Sequence, residues 1–256
     1  MIKKYKTIDV AGYPVHSDSI EKISLNWKEK VVINTINQYS YCVAKKDENF
    51  KTSLVKSDIL LPDGIAIVAA VRFLTGNKLT KISGADIHTH LLKELNNQGG
   101  RCFYLGASEN TLNKIKQKLA SEFPRIAVGI YSPPFKSNFT KDDNLSMVSA
   151  VNNFNPTVLF IGMTAPKQEK WAFDNKDKLD VKIVCTIGAV FDFYACTVKR
   201  PGKFWIDLGL EWLVRFSREP KRLWKRYFYY GPVFIWLIIM EKIKFASIKE
   251  PVMFKK

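Results

Sequence analysis

The chain is short of the residues from which most metal and redox sites are built. Its 256 residues include only four cysteines and three histidines. Cys42, Cys102, Cys185 and Cys196 never stand at C-x-x-C spacing, and His16, His88 and His90 form no ligand set with them. No zinc site is expected. Thiols scattered through apolar runs read as reduced core residues of a cytosolic protein, not as a disulfide frame. Neither G-x-G-x-x-G nor G-x-x-x-x-G-K-[ST] occurs, which argues against a dinucleotide fingerprint and a P-loop. No D-x-D motif stands beside a strand. Asp142-Asp143 lies in the polar stretch NFTKDDN. There are no repeats and no low-complexity linker. The opening MIKKYKTIDV lacks the apolar segment of a secretory signal. Long apolar runs are missing too. The longest, Pro232 to Met240, has nine residues, well short of the ~20 that a spanning helix needs. The expectation is a chain that lies on a membrane without crossing it.

What is present is enough apolar material for a core. The chain is 46% hydrophobic and 25% charged, sufficient for one large α/β domain or two small ones. Its net charge of +16 is unevenly placed. From Ala195 to the end there are 14 Lys and Arg against 5 Asp and Glu. There the cations interleave with aromatics and run into the aliphatic stretch FIWLII. This combination points to an anionic surface with an oily side, a membrane interface or a lipid-linked phosphate. A nucleic-acid-binding protein is the rival reading at pI ≈ 9.6. It would want cations along a groove with aromatics as stacking platforms. A continuous aliphatic stretch serves no such purpose, so no nucleic-acid partner is expected. A non-catalytic membrane scaffold is the second alternative. The apolar tail is equally suited to a partner subunit, as in a homo-oligomer.

The order of patterns gives the fold. YKTIDVAGYPVHS reads as a hairpin. Strand-like segments (KVVINTIN, SDILLP, RCFYLGA, RIAVGIY, TVLFIGM, KIVCTIG) then alternate with helical ones. IAIVAAVRFL is apolar at nearly every position, which suits a helix buried by its neighbours. GADIHTHLLKELNNQGG ends at a glycine pair, a usual stop signal. The spacing predicts α/β: a Rossmann-like, mostly parallel sheet with helices on both faces over residues 1–194. A C-terminal helical, basic and apolar membrane-associating appendage follows over 195–256. It is expected to form one helix from about Phe204 to Ser217 and another starting near Pro220. Ligands of such sheets gather at the carboxyl ends of strands. That places the loops after Leu61, Ile161 and Ile187 on one rim.

Three rim segments are suited to chemistry. Asp63, in Pro62-Asp63-Gly64 at a strand end, stands where a general base would sit; an ordinary helix-capping turn is the alternative. In FIGMTAPKQEKW a helix opens after Gly162 with Lys167 beside its free N–H groups, a place for a phosphate. Gln168 and Glu169 follow, able to bond a base or ribose, or else to form a solvated face. In TIGAVFDFYA, Asp192 reads equally as a ligand group or a satisfied core carboxylate.

These segments resemble a family. Thr35-Ile36-Asn37, Pro62-Asp63-Gly64, GADI, FYLG, SPPF, IGMTAPKQE, IGAVFDF, Arg200 and GLEWLVRFSREPKRLWKRY fall in the order and spacing of the WecG/TagA/CpsF glycosyltransferases. The match runs roughly from residue 8 to 230. The resemblance implies an inverting, metal-independent enzyme without cofactor, peripheral on the cytoplasmic face of a bacterial plasma membrane. It would move a sugar, often of N-acetylmannosamine type, from a UDP-sugar donor to a polyprenyl-diphosphate-linked sugar acceptor. It places the base on Asp63, with Thr35 and Asn37 in the same pocket. Gln168, Glu169 and Asp192 would fall on the nucleotide side. Arg200, Arg215, Arg218, Arg222 and Arg226 would meet the lipid diphosphate or the leaving UDP. The chain departs from the family pattern at Ala195-Cys196, at Arg200-Pro201-Gly202, and near Lys81, where an arginine is usual.

Overall fold

A computed structural model describes residues 5–198, 202, 204–205 and 208–249. Strands β1 (Thr7–Val10) and β2 (Tyr13–His16) form the expected hairpin. Its two-residue turn, Ala11-Gly12, has φ of 53° and 89°. Both residues are left-handed, the twist that suits a tight hairpin. β3 (Val31–Ile36) leads through α1 (Gln38–Ala44) and α2 (Glu48–Val55) to β4 (Ile59–Pro62). Then come α3 (Ile65–Thr75), α4 (Gly84–Gln98), β5 (Arg101–Gly106), α5 (Glu109–Glu122) and β6 (Ala127–Tyr131). The series continues with α6 (Lys141–Phe154), β7 (Val158–Gly162), α7 (Lys167–Asn175) and β8 (Ile183–Thr186). Where the sequence suggested a loop after β8, a short helix forms instead, α8 (Val190–Tyr194).

One eight-stranded sheet results, ordered β1-β2-β4-β3-β8-β7-β5-β6, parallel except for the β1–β2 hairpin. Helices cover both faces. α4, α5 and α8 bury Leu91, Leu95, Ile115 and Phe191 against one face. α2, α6 and α7 bury Leu54, Val151 and Trp171 against the other. Connections moving toward β6 cross the first face and those moving toward β1 cross the second, as right-handed crossovers require. The central β3–β8 pair is pinned by a buried polar contact, Thr186 Oγ1 donating to Asn34 Oδ1 at 2.6 Å.

The tail differs in detail from the expectation. Leu208-Gly209 is a turn, with Gly209 at φ 71°, and the next helix begins only at Glu211. This helix, α9 (Glu211–Arg218), stops before Pro220, which opens α10 (Pro220–Trp224). A π-helical stretch, Lys225–Tyr229, continues into the 20-residue α11 (Tyr230–Lys249). No helix of the described residues is long and apolar enough to cross a membrane. One side of α11 belongs to the core. Phe234 and Ile238 are buried with Ile36, Leu60 and Val71, and Phe234 stands edge-on to Tyr41 at 5.3 Å. Phe234→Ala is therefore expected to destabilise the fold by about 3–5 kcal/mol. Chemical denaturation checks this, and a loss below about 1 kcal/mol would mean that α11 is not part of the core.

The apolar helix α3 also departs from its pattern. Ile67, Ala70 and Val71 are buried, but Ile65 and Phe73 are 58% and 49% exposed.

Candidate active site at the Asp63 turn

β4 ends at Pro62, and the Asp63 N–H donates to the Ile36 carbonyl of β3 at 2.9 Å. This fixes the turn to the strand next to it. Gly64 follows at φ 111° and ψ 147°, a backbone conformation open to glycine and strained for other residues. It lets α3 start at once, and no side chain caps that helix. The first N–H groups of α3, around Ile65 and Ala66, therefore border the cavity without a side-chain acceptor. The cavity measures about 310 Å³. Asn37, Asp63 and Lys81 line its sheet side, and Glu211, Trp212, Arg215, Arg226 and Tyr227 its tail side. The tail thus roofs the turn.

Burial pushes the Asp63 carboxyl above the usual carboxylate range. Glu211 adds to the rise, while Arg226, Lys81 and Arg215 act against it. Arg226 is itself deeply placed. Its Nε finds no partner among the described residues, and its guanidinium lies 5.2 Å from the Tyr39 ring centroid. Burial lowers its pKa. Arg215 lies 5.0 Å from the Phe193 ring centroid. Lys81 faces Glu211 at 3.9 Å. A carboxyl that holds its proton more tightly than usual, opposite cations with few protein partners, suits proton abstraction beside an anion.

A second feature lies on the same rim. The chain turns outward from β5 to β6 and inward from β7 to β8, so the topological switch point falls between β5 and β7. Gly106 and Gly162 pair there. A Cβ on Gly106 would lie 2.7 Å from the Gly162 carbonyl oxygen, and one on Gly162 would lie 2.3 Å from the Phe191 ring. Neither position has room for a side chain. Gln168 Oε1 accepts from the Met163 N–H at 3.1 Å, and its Nε2 donates to Glu169 Oε1 at 2.8 Å. A Cβ on Gly188 would lie 3.4 Å from the Gln168 amide nitrogen, so the amide lies over that loop. It therefore links the loops after β7 and β8, and Glu169 sets the direction of its amide. Glu169 is 2% exposed, its second oxygen has no partner among the described residues, and burial raises its pKa to about 7. Three strand spacings, about 14 Å, separate this crevice from the Asp63 turn.

Comparison with known proteins decides what this rim belongs to. The model of the glycosyl transferase WecG/TagA/CpsF family matches residues 8–247. The chain belongs to that family. It is therefore a hexosyltransferase of the WecG/TagA/CpsF type. One relative is the N-acetylglucosaminyldiphosphoundecaprenol N-acetyl-beta-D-mannosaminyltransferase of Bacillus subtilis (strain 168). It is 32% identical over 210 residues, covering 82% of this chain and 79% of the relative. A protein of the same description from Bacillus spizizenii (strain ATCC 23059 / NRRL B-14472 / W23) is 25% identical over 207 residues, covering 81% of this chain and 78% of its own length.

The site residues suggested by the resemblance to the WecG/TagA/CpsF family separate into groups. Asp63, Asn37, Arg215 and Arg226 meet around one cavity. Asn37 Oδ1 caps α1 by accepting from the Tyr39 and Ser40 N–H groups, which leaves its amide nitrogen as the end for a ligand. Thr35 sits opposite Leu61 at the end of β3, outside the cavity lining. Gln168 and Glu169 belong to the second crevice. Lys167 is tied to the Pro-Pro loop: its ammonium donates to the Lys136 carbonyl and lies 3.8 Å from the Phe139 ring centroid. Asp192 accepts from the Thr197 hydroxyl and is partly buried on α8. Arg218 is exposed on α9. Arg200 and the Arg222 side chain lie outside the described residues. Sequence reasoning had not singled out Glu211 or Tyr227 as site residues, although both lie in the GLEWLVRFSREPKRLWKRY block. Lys81 stands near the place of the usual arginine.

Proposed function

We propose that this hexosyltransferase inverts the anomeric centre of a UDP-sugar of N-acetylmannosamine type. The acceptor is a sugar carried on undecaprenyl diphosphate, at the cytoplasmic face of a bacterial membrane, for a cell-surface polysaccharide or teichoic acid. The observation that carries this reading is the Asp63 carboxyl facing Arg226 and Arg215 across one cavity. A base opposite two guanidiniums suits a displacement that deprotonates a neutral hydroxyl while a diphosphate departs. The activity named for the two Bacillus relatives supports transfer of an N-acetylmannosaminyl group to an undecaprenyl-diphosphate-linked sugar.

In this mechanism the acceptor hydroxyl oxygen attacks the anomeric carbon as Asp63 takes its proton. The bond to the diphosphate breaks on the opposite face, and UDP leaves with the electron pair. Arg226, Arg215 and the uncapped N–H groups of α3 meet the charge that develops, without a metal ion. Asn37, which lines the cavity, positions the sugar. The nucleoside runs along the rim to the glycine-lined crevice, where Gln168, oriented by Glu169, and Asp192 meet it. Lys167 acts indirectly by holding the Pro-Pro loop. Arg200, Arg218 and Arg222 take the lipid diphosphate. The appendage rests on the anionic membrane surface, with Trp224 and Trp236 exposed on it.

The test is transfer from a panel of UDP-sugars to a short-chain prenyl-diphosphate-linked sugar, with product stereochemistry read by NMR. One donor is expected to give an inverted product. UDP binding with retention would overturn the mechanism, and no UDP binding at all would favour the scaffold reading. Because Asp63 must lose its proton to act, kcat/KM is expected to rise with pH along an acid limb placed above that of an ordinary aspartate. A limb that vanishes in Glu169→Gln would assign it to Glu169 instead.

A further inference from the structure

α3 carries a face that its own fold does not cover. Ile65, Ala69, Arg72 and Phe73 are all exposed and recur at i, i+4, i+7 and i+8, along one side of the helix. The segment IAIVAAVRFLT holds no acidic residue. α11 carries a similar face, with Ile235, Trp236 and Ile239 60%, 59% and 42% exposed.

The two faces join at both ends. At one end Ile65 and Ile235 border the same Asp63 cavity. At the other, Lys242 of α11 lies 5.6 Å from the Phe73 ring centroid and donates to the Leu74 carbonyl at 3.2 Å. Eight residues separate the ends on α3 and seven on α11, so both helices cover about 11–12 Å between the shared points. They run side by side and in the same direction.

We infer that α3 is a second membrane-contacting element, and that α3 and α11 together form one lipid-facing surface with the Asp63 cavity opening at its edge. This deepens the proposed function and rests on its membrane reading. The occupant is an anionic bilayer because the charges on the surface are of one sign. Arg72, Lys242 and Lys244 are exposed around the apolar side chains, and Glu241 is paired with Lys45 and Lys244. A second copy of this chain would bring another +16 against the same cations. An interfacial surface instead gains from both the apolar contact and the lipid charge. Contact is therefore not confined to the C-terminal appendage, and the membrane approaches the base from the β4 side as well.

The experiment compares wild type, Phe73→Glu, Ala69→Glu and Phe73→Leu by flotation with phosphatidylglycerol-containing vesicles. Melting temperature and transfer to a water-soluble acceptor are followed in parallel. Wild type and Phe73→Leu are expected to float. Each glutamate variant should partition about tenfold more weakly, from lost apolar contact plus charge repulsion, with soluble transfer unchanged. Equal flotation of all four would overturn the inference while leaving the membrane reading of the tail intact. So would glutamate variants that alter only the sedimentation of the protein, because a second copy would then occupy the face. Failure of wild type to float would remove the membrane reading itself.

Discussion

Asp63→Asn is expected to lower kcat for sugar transfer about 10²–10⁴-fold while UDP affinity stays within a few-fold of wild type. The side chains have nearly the same shape, so the turn, the Asp63 N–H bond to Ile36 and the cavity all persist. What disappears is a group able to accept a proton from the attacking hydroxyl. Stability should not fall. Folded Asp63 has a raised pKa, so its ionisation costs stability as pH rises above the unfolded value, and asparagine removes that cost. The measurement is steady-state transfer with UDP binding by calorimetry. Wild-type turnover in the variant would take the base away from Asp63, and loss of UDP binding would make it a donor ligand.

The second large effect falls on Arg226. Arg226→Gln is expected to lower kcat/KM about 10²–10³-fold, the range for removing one preorganised donor to a developing negative charge. A further signature separates this role from simple packing. Arg226 is the foremost of the groups holding the Asp63 pKa down. Without it the Asp63 pKa rises further, so the acid limb of the rate profile should move to higher pH. The melting temperature should hold or rise, since a half-buried cation whose Nε lacks a partner among the described residues is being removed. Reduced rate with an unmoved limb would place Arg226 outside electrostatic reach of Asp63. Reduced rate together with a lower melting temperature would make it a packing residue.

Much of the sheet was legible because βα alternation and hairpin turns are local signals. The rim followed as well, since β4, β7 and β8 end at Pro62, Gly162 and Thr186, close to the expected loops. The roof of the site was less readable. The resemblance grouped Arg215, Arg218 and Arg226 at a diphosphate, but α9 ends before Pro220 and Arg218 is exposed to solvent, while Arg215 and Arg226 line the Asp63 cavity. Lys167 looked free for a phosphate because nothing in the local sequence signals that Lys136, 31 residues earlier, supplies its acceptor. α3 looked buried because a helix apolar at nearly every position usually is. Composition alone does not say whether the neighbour is protein or lipid.

The π-helical stretch has a consequence for how this site tolerates change in length. It holds more residues per turn than the helices on either side of it. An α-helix advances 3.6 residues per turn, so each residue counts for about 100°. Deleting one residue from 225–229 would bring this stretch to ordinary α-helical winding, apart from the bond that Pro232 cannot donate. It would also rotate the preceding helical segment by about that angle relative to α11. Phe234 and Ile238 would keep their places in the core while the side chains before the deletion moved off the cavity. The stretch sets the phase between the core-anchored α11 and the helices that roof the Asp63 cavity, so a single-residue deletion there is expected to be more damaging than most substitutions.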